Sequence, residues 1–449
     1  MRLFSRIRFK HIFLFSVIVG VAVRFITVFV THPNFDMESF YLVGKIVTSG
    51  QNVYAETYRY NYAPLWSFVL GFLYTISHGS FSLFRLLVSC ILITVDVGIA
   101  VILASSFSYV AGILFILNPI SILLTGSHGQ FDNLAFLIGF AGAYVYGNSV
   151  GDYWKKRKIG GILLLSLSLL FKHIFFVLPF WWALRTKGVW NKIMTLCIPY
   201  GIFFCGFISY WPKAGGNIIE NVILYKSGNN PLLYPLIIAF PFQRYLSPDL
   251  LFIGALFIGG ILARKMRIIP NLLICTGILV LFAPAAANQY FAIIIPLIST
   301  YLNPLYIFFT ATHAFHIISR LTNSAITVPF LNIKLSFYTV DFRFTSMVLF
   351  SGFLYTILHT LQKNNQRNLR IKHLMLAVII PLTLFGFTKG IEYMMVRPIH
   401  IALKEKNYEY ANRLFTAIQI IPPLPDTPFY NTLTPIRQEI EKYRQSKIP

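Results

Sequence analysis

Residues 82–104 read SLFRLLVSCILITVDVGIAVILA, a 23-residue apolar run interrupted only by Arg85 and Asp96. As a helix this run would be about 35 Å long, enough to cross the roughly 30 Å hydrocarbon layer of a bilayer. Similar apolar runs lie near 11–30, 109–125, 133–148, 159–171, 174–184, 193–211, 249–263, 271–288, 290–302, 304–319, 343–361 and 374–389. Several are shorter than a full crossing needs. The run 64–77, opened by Pro64, reads as a re-entrant or surface-lying helix. The expectation is an all-α, polytopic transmembrane bundle of about 12–13 spans.

Composition supports the membrane reading. Of 449 residues, 56% are apolar types and 12% are charged, against about 25% charged in ordinary soluble domains. Mean hydropathy is +0.66. These values exclude a soluble enzyme and a disordered chain. The formal charge of +23 would ordinarily suggest nucleic acid, but its placement points to the membrane. Eighteen of the 38 Lys and Arg residues fall in five short clusters, at Arg2–Lys10, Lys155–Lys158, Arg185–Lys192, Arg264–Arg267 and Lys363–Lys372. Short cationic loops between spans mark the cytoplasmic side. The stretches 31–62, 126–132, 212–247 and 320–342 are then expected on the outer face.

Residues 1–389 read as the membrane domain. Residues 390–449 carry basic and acidic residues in nearly equal numbers, with helix-like stretches at 398–419 and 433–446, and read as a small non-spanning helical tail. The four cysteines, Cys90, Cys197, Cys205 and Cys275, lie in apolar segments and read as small core residues. The first run lacks a small-x-small cleavage site and reads as an uncleaved anchor.

Only six carboxylates can serve an outer-face site: Asp36, Glu38, Glu56, Asp132, Glu220 and Asp341. Asp36 lies just past the first run, in His32-Pro33-Asn34-Phe35-Asp36. A carboxylate at a cavity mouth suits general-base work, whereas the bland alternative is an N-cap for a helix starting near Met37. Asp132 closes Gly126-Ser127-His128-Gly129-Gln130-Phe131-Asp132. His128, Gln130 and Asp132 together offer donors and acceptors for a hydroxyl-rich ligand, unless this is a capped tight turn. Arg24 and Asp96 lie inside spans, and the pair Lys172-His173 interrupts 159–184. Buried charge is costly and marks a site by default, though snorkelling or a local pair would also account for it. A cation pair at a broken helix suits a phosphate. Aromatic residues crowd the first outer stretch, Tyr54, Tyr58, Tyr60, Tyr62 and Trp66; such residues form interfacial belts and also stack on sugars. No nucleotide loop, dinucleotide fingerprint, hydrolase elbow or metal cluster is present.

In combination these residues resemble the C-type (GT-C) glycosyltransferases, integral membrane enzymes that use polyprenyl-phosphate sugars. The resemblance rests on Asp36, on Arg59-Tyr60-Asn61-Tyr62-Ala63-Pro64-Leu65 and on Asn118-Pro119 leading to His128-Gly129-Gln130-Phe131-Asp132. It rests also on Lys172-His173 and on Gln289-Tyr290 before Pro296. The layout of 24–185 is similar to dolichyl-phosphate-glucose glucosyltransferases and to bacterial mannosyltransferases. Where the former carry His-Phe-Gln-Tyr-Asn, this chain has His128-Gly129-Gln130-Phe131-Asp132, closer to bacterial members.

The resemblance implies inverting transfer of a hexose, mannose or glucose, to a lipid-linked or cell-envelope glycan. Asp36 would be the base. Arg24, Tyr62, His128, Gln130, Asp132, Lys172, His173, Gln289 and Tyr290 would bind substrate. No cofactor and no obligatory metal is implied, and the partners are the donor lipid, the acceptor and the bilayer, with no nucleic acid. A flippase or transporter of lipid-linked saccharides is the alternative, disfavoured by the lack of an internal repeat.

Overall fold

The structure is a computed structural model. It describes residues 2–147, 156–225, 247–284, 288–322, 326–328, 333–335, 342–364, 396, 398–419 and 428–446. The chain is the helical membrane protein its composition predicts. Its described residues pack as two compact units. The first comprises Met1–Gly228, Gly254–Val280 and Ala287–Tyr301, and the second Asn229–Ile253, Leu281–Ala286 and Leu302–Pro449.

In the first unit, helix α1 (Arg2–Val30) is followed by α2 (Phe35–Thr48), α3 (Val53–Glu56), α4 (Pro64–Ile76) and α5 (Phe81–Ser106). Then come α6 (Tyr109–Ile116), α7 (Pro119–Gly126), α8 (Asp132–Gly147), α9 (Lys156–Phe171), α10 (Leu178–Arg185), α11 (Val189–Cys205) and α12 (Trp211–Ile218). Among the described residues two helices are long and apolar enough to cross a bilayer, Phe9–Val30 and Phe81–Ser106. A third span results if α6 and α7, bent by 49°, count as one. Helices Pro64–Ile76, Val189–Cys205, Pro248–Ala263 and Ile268–Phe282 are apolar but shorter than a full crossing needs, and the run 374–389 lies outside the described residues.

The breaks have local causes. At the α6–α7 bend, Pro119 cannot donate, and Asn118 caps α7 through bonds from the Ile120 (3.0 Å) and Ser121 (3.4 Å) amides. Between α9 and α10 the backbone of Lys172 is extended and His173–Phe175 forms one 3₁₀ turn, so the hairpin of short helices expected at 159–184 is present. The polar stretch 31–62 is not a loop. It folds into α2 and α3, because Met37, Phe40, Val43 and Ile46 recur at helical spacing and bury one face of α2 against α4.

Helix α1 packs on α5, α6 and α7, and α8 packs along α9. At the α8–α9 contact a Cβ added at Gly142 would lie 2.9 Å from the Gly161 carbonyl, and one at Gly161 2.8 Å from the Gly142 carbonyl. The two backbones touch, as small residues permit between membrane helices. The outer-stretch aromatics are core rather than belt: Tyr54, Tyr60, Tyr62 and Trp66 are buried, while Tyr58 is 80% exposed. The cysteine reading is corrected in part. Cys275 is buried, but Cys197 and Cys205 lie exposed on α11.

In the second unit, helix Pro304–Thr322 packs on Phe342–Asn364. Asn303 caps the first of these through the Leu305 amide (2.9 Å) and donates to the Gly352 carbonyl (3.2 Å). An antiparallel hairpin, Ile326–Val328 with Ile333–Leu335, lies within the stretch 320–342. In the tail, Ile399, Ala402, Leu403, Ala411, Leu414, Phe415, Ile436 and Ile440 form a small core. The helix expected over 398–419 breaks at Lys406, whose φ is +57°, and resumes as Tyr408–Gln419.

Candidate active site

Asp36 stands at the second position of α2, not at its cap. The cap is Asn34, whose Oδ1 accepts from the Met37 amide at 2.9 Å. A carboxylate in the first turn is favoured by the helix dipole. Its side chain is 23% exposed and free to serve something other than the helix end. Gln130 Nε2 donates to Asp36 Oδ2 at 2.5 Å, and His128 Nδ1 stands 3.3 Å from the same oxygen and 3.0 Å from Gln130 Nε2. Asp36 Oδ1 takes no bond among the described residues. Thus Asp36, His128 and Gln130, some 94 residues apart in sequence, form one cluster.

The turn that presents His128 and Gln130 hangs from the end of α7. The His128 amide bonds the Leu123 carbonyl (3.2 Å) and the Gln130 amide the Leu124 carbonyl (3.2 Å). Gly129 sits between them at φ +66°, and a Cβ there would come 2.5 Å from Met37 Cε. The positive φ calls for glycine, while the flexible Met37 tip could move aside.

A second cluster surrounds Lys172. Its Nζ stands 2.8 Å from Asp132 Oδ1, both side chains being buried. It also lies 4.9 Å from the Tyr62 ring centre, 5.2 Å from that of Phe131 and 5.9 Å from that of Tyr290, distances at which ring faces attract a cation. Asp132 Oδ2 is buried with no hydrogen-bond partner among the described residues. Phe131 stacks on Trp66 (4.5 Å, 12°) and meets Tyr62 edge-on (4.7 Å), locking the loop before α4 to the turn before α8. Tyr62 joins the two clusters. Burial, then the charges of Asp36 and Asp132, push its phenol well above the usual range, so it stays a neutral hydroxyl. Tyr225 is likewise raised by burial and by Asp36, an effect that the nearby Asn61 side chain partly offsets.

One expected ligand is committed elsewhere. Arg24 is fully buried and committed inside the protein. Its Nε donates to Asp96 Oδ2 (2.8 Å), Nη1 to the Gly20 (3.0 Å) and Ile116 (2.7 Å) carbonyls, and Nη2 to Ser121 Oγ (2.9 Å). Asp96 also accepts from Thr125 Oγ1 (2.8 Å) and Asn133 Nδ2 (2.6 Å). Such a network binds helices together and commits Nε, both donors of Nη1 and one of Nη2 to the protein interior. The His173 ring packs edge-on against Phe203, 6.4 Å away, and its buried Nδ1 has no hydrogen-bond partner among the described residues. Gln289 lies half-buried in the 3₁₀ turn that carries Tyr290. Residues that sequence reasoning missed are Asn34, Phe131 and Tyr225. Asn34 had a signal, since Asn two residues before the first acidic residue of a helix is a cap pattern; Tyr225 had none.

No family model matches the chain, and no curated protein matches it. Among solved structures it is similar to the crystal structure of ArnT from Cupriavidus metallidurans in the apo state. That match has 11% sequence identity over 85% of this chain and 75% of the other, with a TM-score of 0.47. It is similar also to the crystal structure of the same protein bound to undecaprenyl phosphate, at 12% identity over 88% and 79%, with a TM-score of 0.46.

Proposed function

We propose that this protein is an inverting hexosyltransferase. It moves mannose or glucose from a polyprenyl-phosphate donor to a lipid-linked or cell-envelope glycan at the outer or luminal face. Residues 1–389 form its multi-pass membrane domain, and 390–449 a non-spanning tail.

The observation that carries this reading is Asp36. Its carboxylate is partly exposed, is fixed on one oxygen by Gln130 and His128, and keeps the other oxygen for a proton. In the proposed step Asp36 takes the proton of an acceptor hydroxyl. The hydroxyl oxygen bonds to the anomeric carbon on the face opposite the phosphate. The carbon–oxygen bond to phosphate breaks, and its electron pair leaves with polyprenyl phosphate. Lys172 is a buried cation of the same unit, and the donor phosphate competes with Asp132 for its ammonium. A cation already placed where negative charge grows lowers the barrier without reorganisation.

The test is transfer in detergent from polyprenyl-phosphate mannose and glucose to a lipid-linked acceptor, with the anomeric configuration of the product determined. An inverted glycoside is expected. No transfer by the folded protein, together with translocation of a lipid-linked saccharide in proteoliposomes, would replace the enzyme reading with the transporter.

A further inference from the structure

Asn34 makes two bonds that belong to different parts of the fold. Its Oδ1 accepts from the Met37 amide at 2.9 Å and starts α2. Its Nδ2 donates to the His128 carbonyl at 3.1 Å, across 94 residues of sequence. The cap fixes where the first turn of α2, and with it Asp36, begins. The second bond fixes the backbone of the turn whose next residues put Gln130 Nε2 and His128 Nδ1 on Asp36 Oδ2. One amide group therefore sets the register between the proposed base and the side chains that hold it.

On the α2 side the turn meets Asp36 through the Gln130 and His128 side chains, Met37 at Gly129 and Phe40 through the Phe131 ring, whereas the Asn34 bond holds its main chain directly. His128 is partly exposed, and Gly129 adds no side chain beyond its contact space with Met37. The backbone bonds from His128 and Gln130 to α7 tie it to the other element, not to α2.

We infer that Asn34 is a positioning residue: it aligns the His128–Gln130 turn with Asp36 through its Nδ2 bond, in addition to capping α2. The inference rests on Asp36 being the base of the transfer reaction. Misplacement of a catalytic group by about 1 Å can cost about 100-fold in rate.

Asn34→Ser separates the two bonds, because serine is as good a cap as asparagine yet cannot reach the His128 carbonyl. The expected result is a melting temperature within a few degrees of wild type, unchanged KM for donor and acceptor, and kcat lowered about 10-fold to 100-fold. Hydrogen exchange followed by mass spectrometry should quicken in 127–131 and stay slow in the first turns of α2. Wild-type kcat and wild-type exchange in 127–131 would overturn the inference, as would loss of protection in α2 itself, which would reduce Asn34 to a cap. If wild-type protein transfers no sugar, the function reading fails separately, and the exchange comparison alone then decides whether Asn34 holds the turn.

Discussion

Arg24 and Asp96 form an ion pair 2.8 Å long in which both side chains are completely buried. The pair ties α1 to α5, and the bonds from Ser121, Thr125 and Asn133 extend it to α7 and α8. Removing one partner strands the other charge, at a cost of about 3–5 kcal/mol.

Arg24→Met should therefore fold poorly, with a much reduced melting temperature in detergent, while donor affinity per folded molecule stays at the wild-type level. The combined variant Arg24→Met/Asp96→Leu removes the stranded charge and should recover part of the loss, the Ile116 carbonyl staying without its donor. A stable Arg24→Met protein with weakened donor binding would return Arg24 to the substrate.

Asp36→Asn removes the proton acceptor and keeps the side-chain size. Asn34, not Asp36, caps α2, so thermal stability should stay near wild type. Transfer should fall roughly 10²-fold to 10⁴-fold. Single-turnover measurements with saturating donor read the chemical step directly, and near-normal turnover would dismiss Asp36 as the base.

The Lys172–Asp132 pair needs a double substitution. Lys172→Met alone leaves a buried carboxylate unpaired and should destabilise the protein by about 3–5 kcal/mol. Adding Asp132→Asn removes the stranded charge and should restore melting. Donor affinity measured in this folded double variant tests the phosphate role: a clear weakening is expected, and wild-type affinity would make the pair purely structural.

Gly129→Ala places a methyl group in a left-handed backbone and against Met37. Transfer should drop more than stability does, because the strain falls on the turn that holds Asp36. Gly129→Ala combined with Met37→Ala relieves the contact but not the backbone strain, so only partial recovery of rate is expected.

Orientation is best probed at Tyr58 and Trp190, which are 80% and 77% exposed. In a cysteine-free background, cysteine at position 58 should react with an impermeant reagent in intact cells, and cysteine at 190 only after permeabilisation. The reverse pattern would invert the proposed topology.

Local features of this structure are legible in the sequence, and those requiring distant partners are not. The helix breaks at Pro119 and at Lys172-His173, and the small polar turn His128–Asp132, follow from residue types whose backbone preferences act over a few positions. An intramembrane charge announces itself but not its partner. Nothing within reach of Arg24 in sequence names Asp96, 72 residues on, so an internal pair reads like a ligand site. The Tyr54–Trp66 aromatics mislead for a related reason. A ring is equally at home in a core, at an interface or on a sugar, and only the packing of Phe40, Phe131 and Phe207 against them decides. Asn34 and Asp36 are both good caps, and the choice between them is made by where the chain turns after Pro33.

The bend between α6 and α7 has a consequence for how this chain can change. In an unbroken helix the Ile116 carbonyl would accept from the Ile120 amide, but that amide bonds Asn118 Oδ1 instead, and Arg24 Nη1 takes the vacated carbonyl at 2.7 Å. An unwound carbonyl within an apolar layer requires a donor, and a buried guanidinium requires acceptors. Each defect is tolerable only in the presence of the other. Arg24 and the Asn118-Pro119 break thus form an epistatic unit. Healing the helix by Pro119→Ala deprives Arg24 of an acceptor, and losing Arg24 leaves the break uncovered. Drift at either position is closed unless both move together.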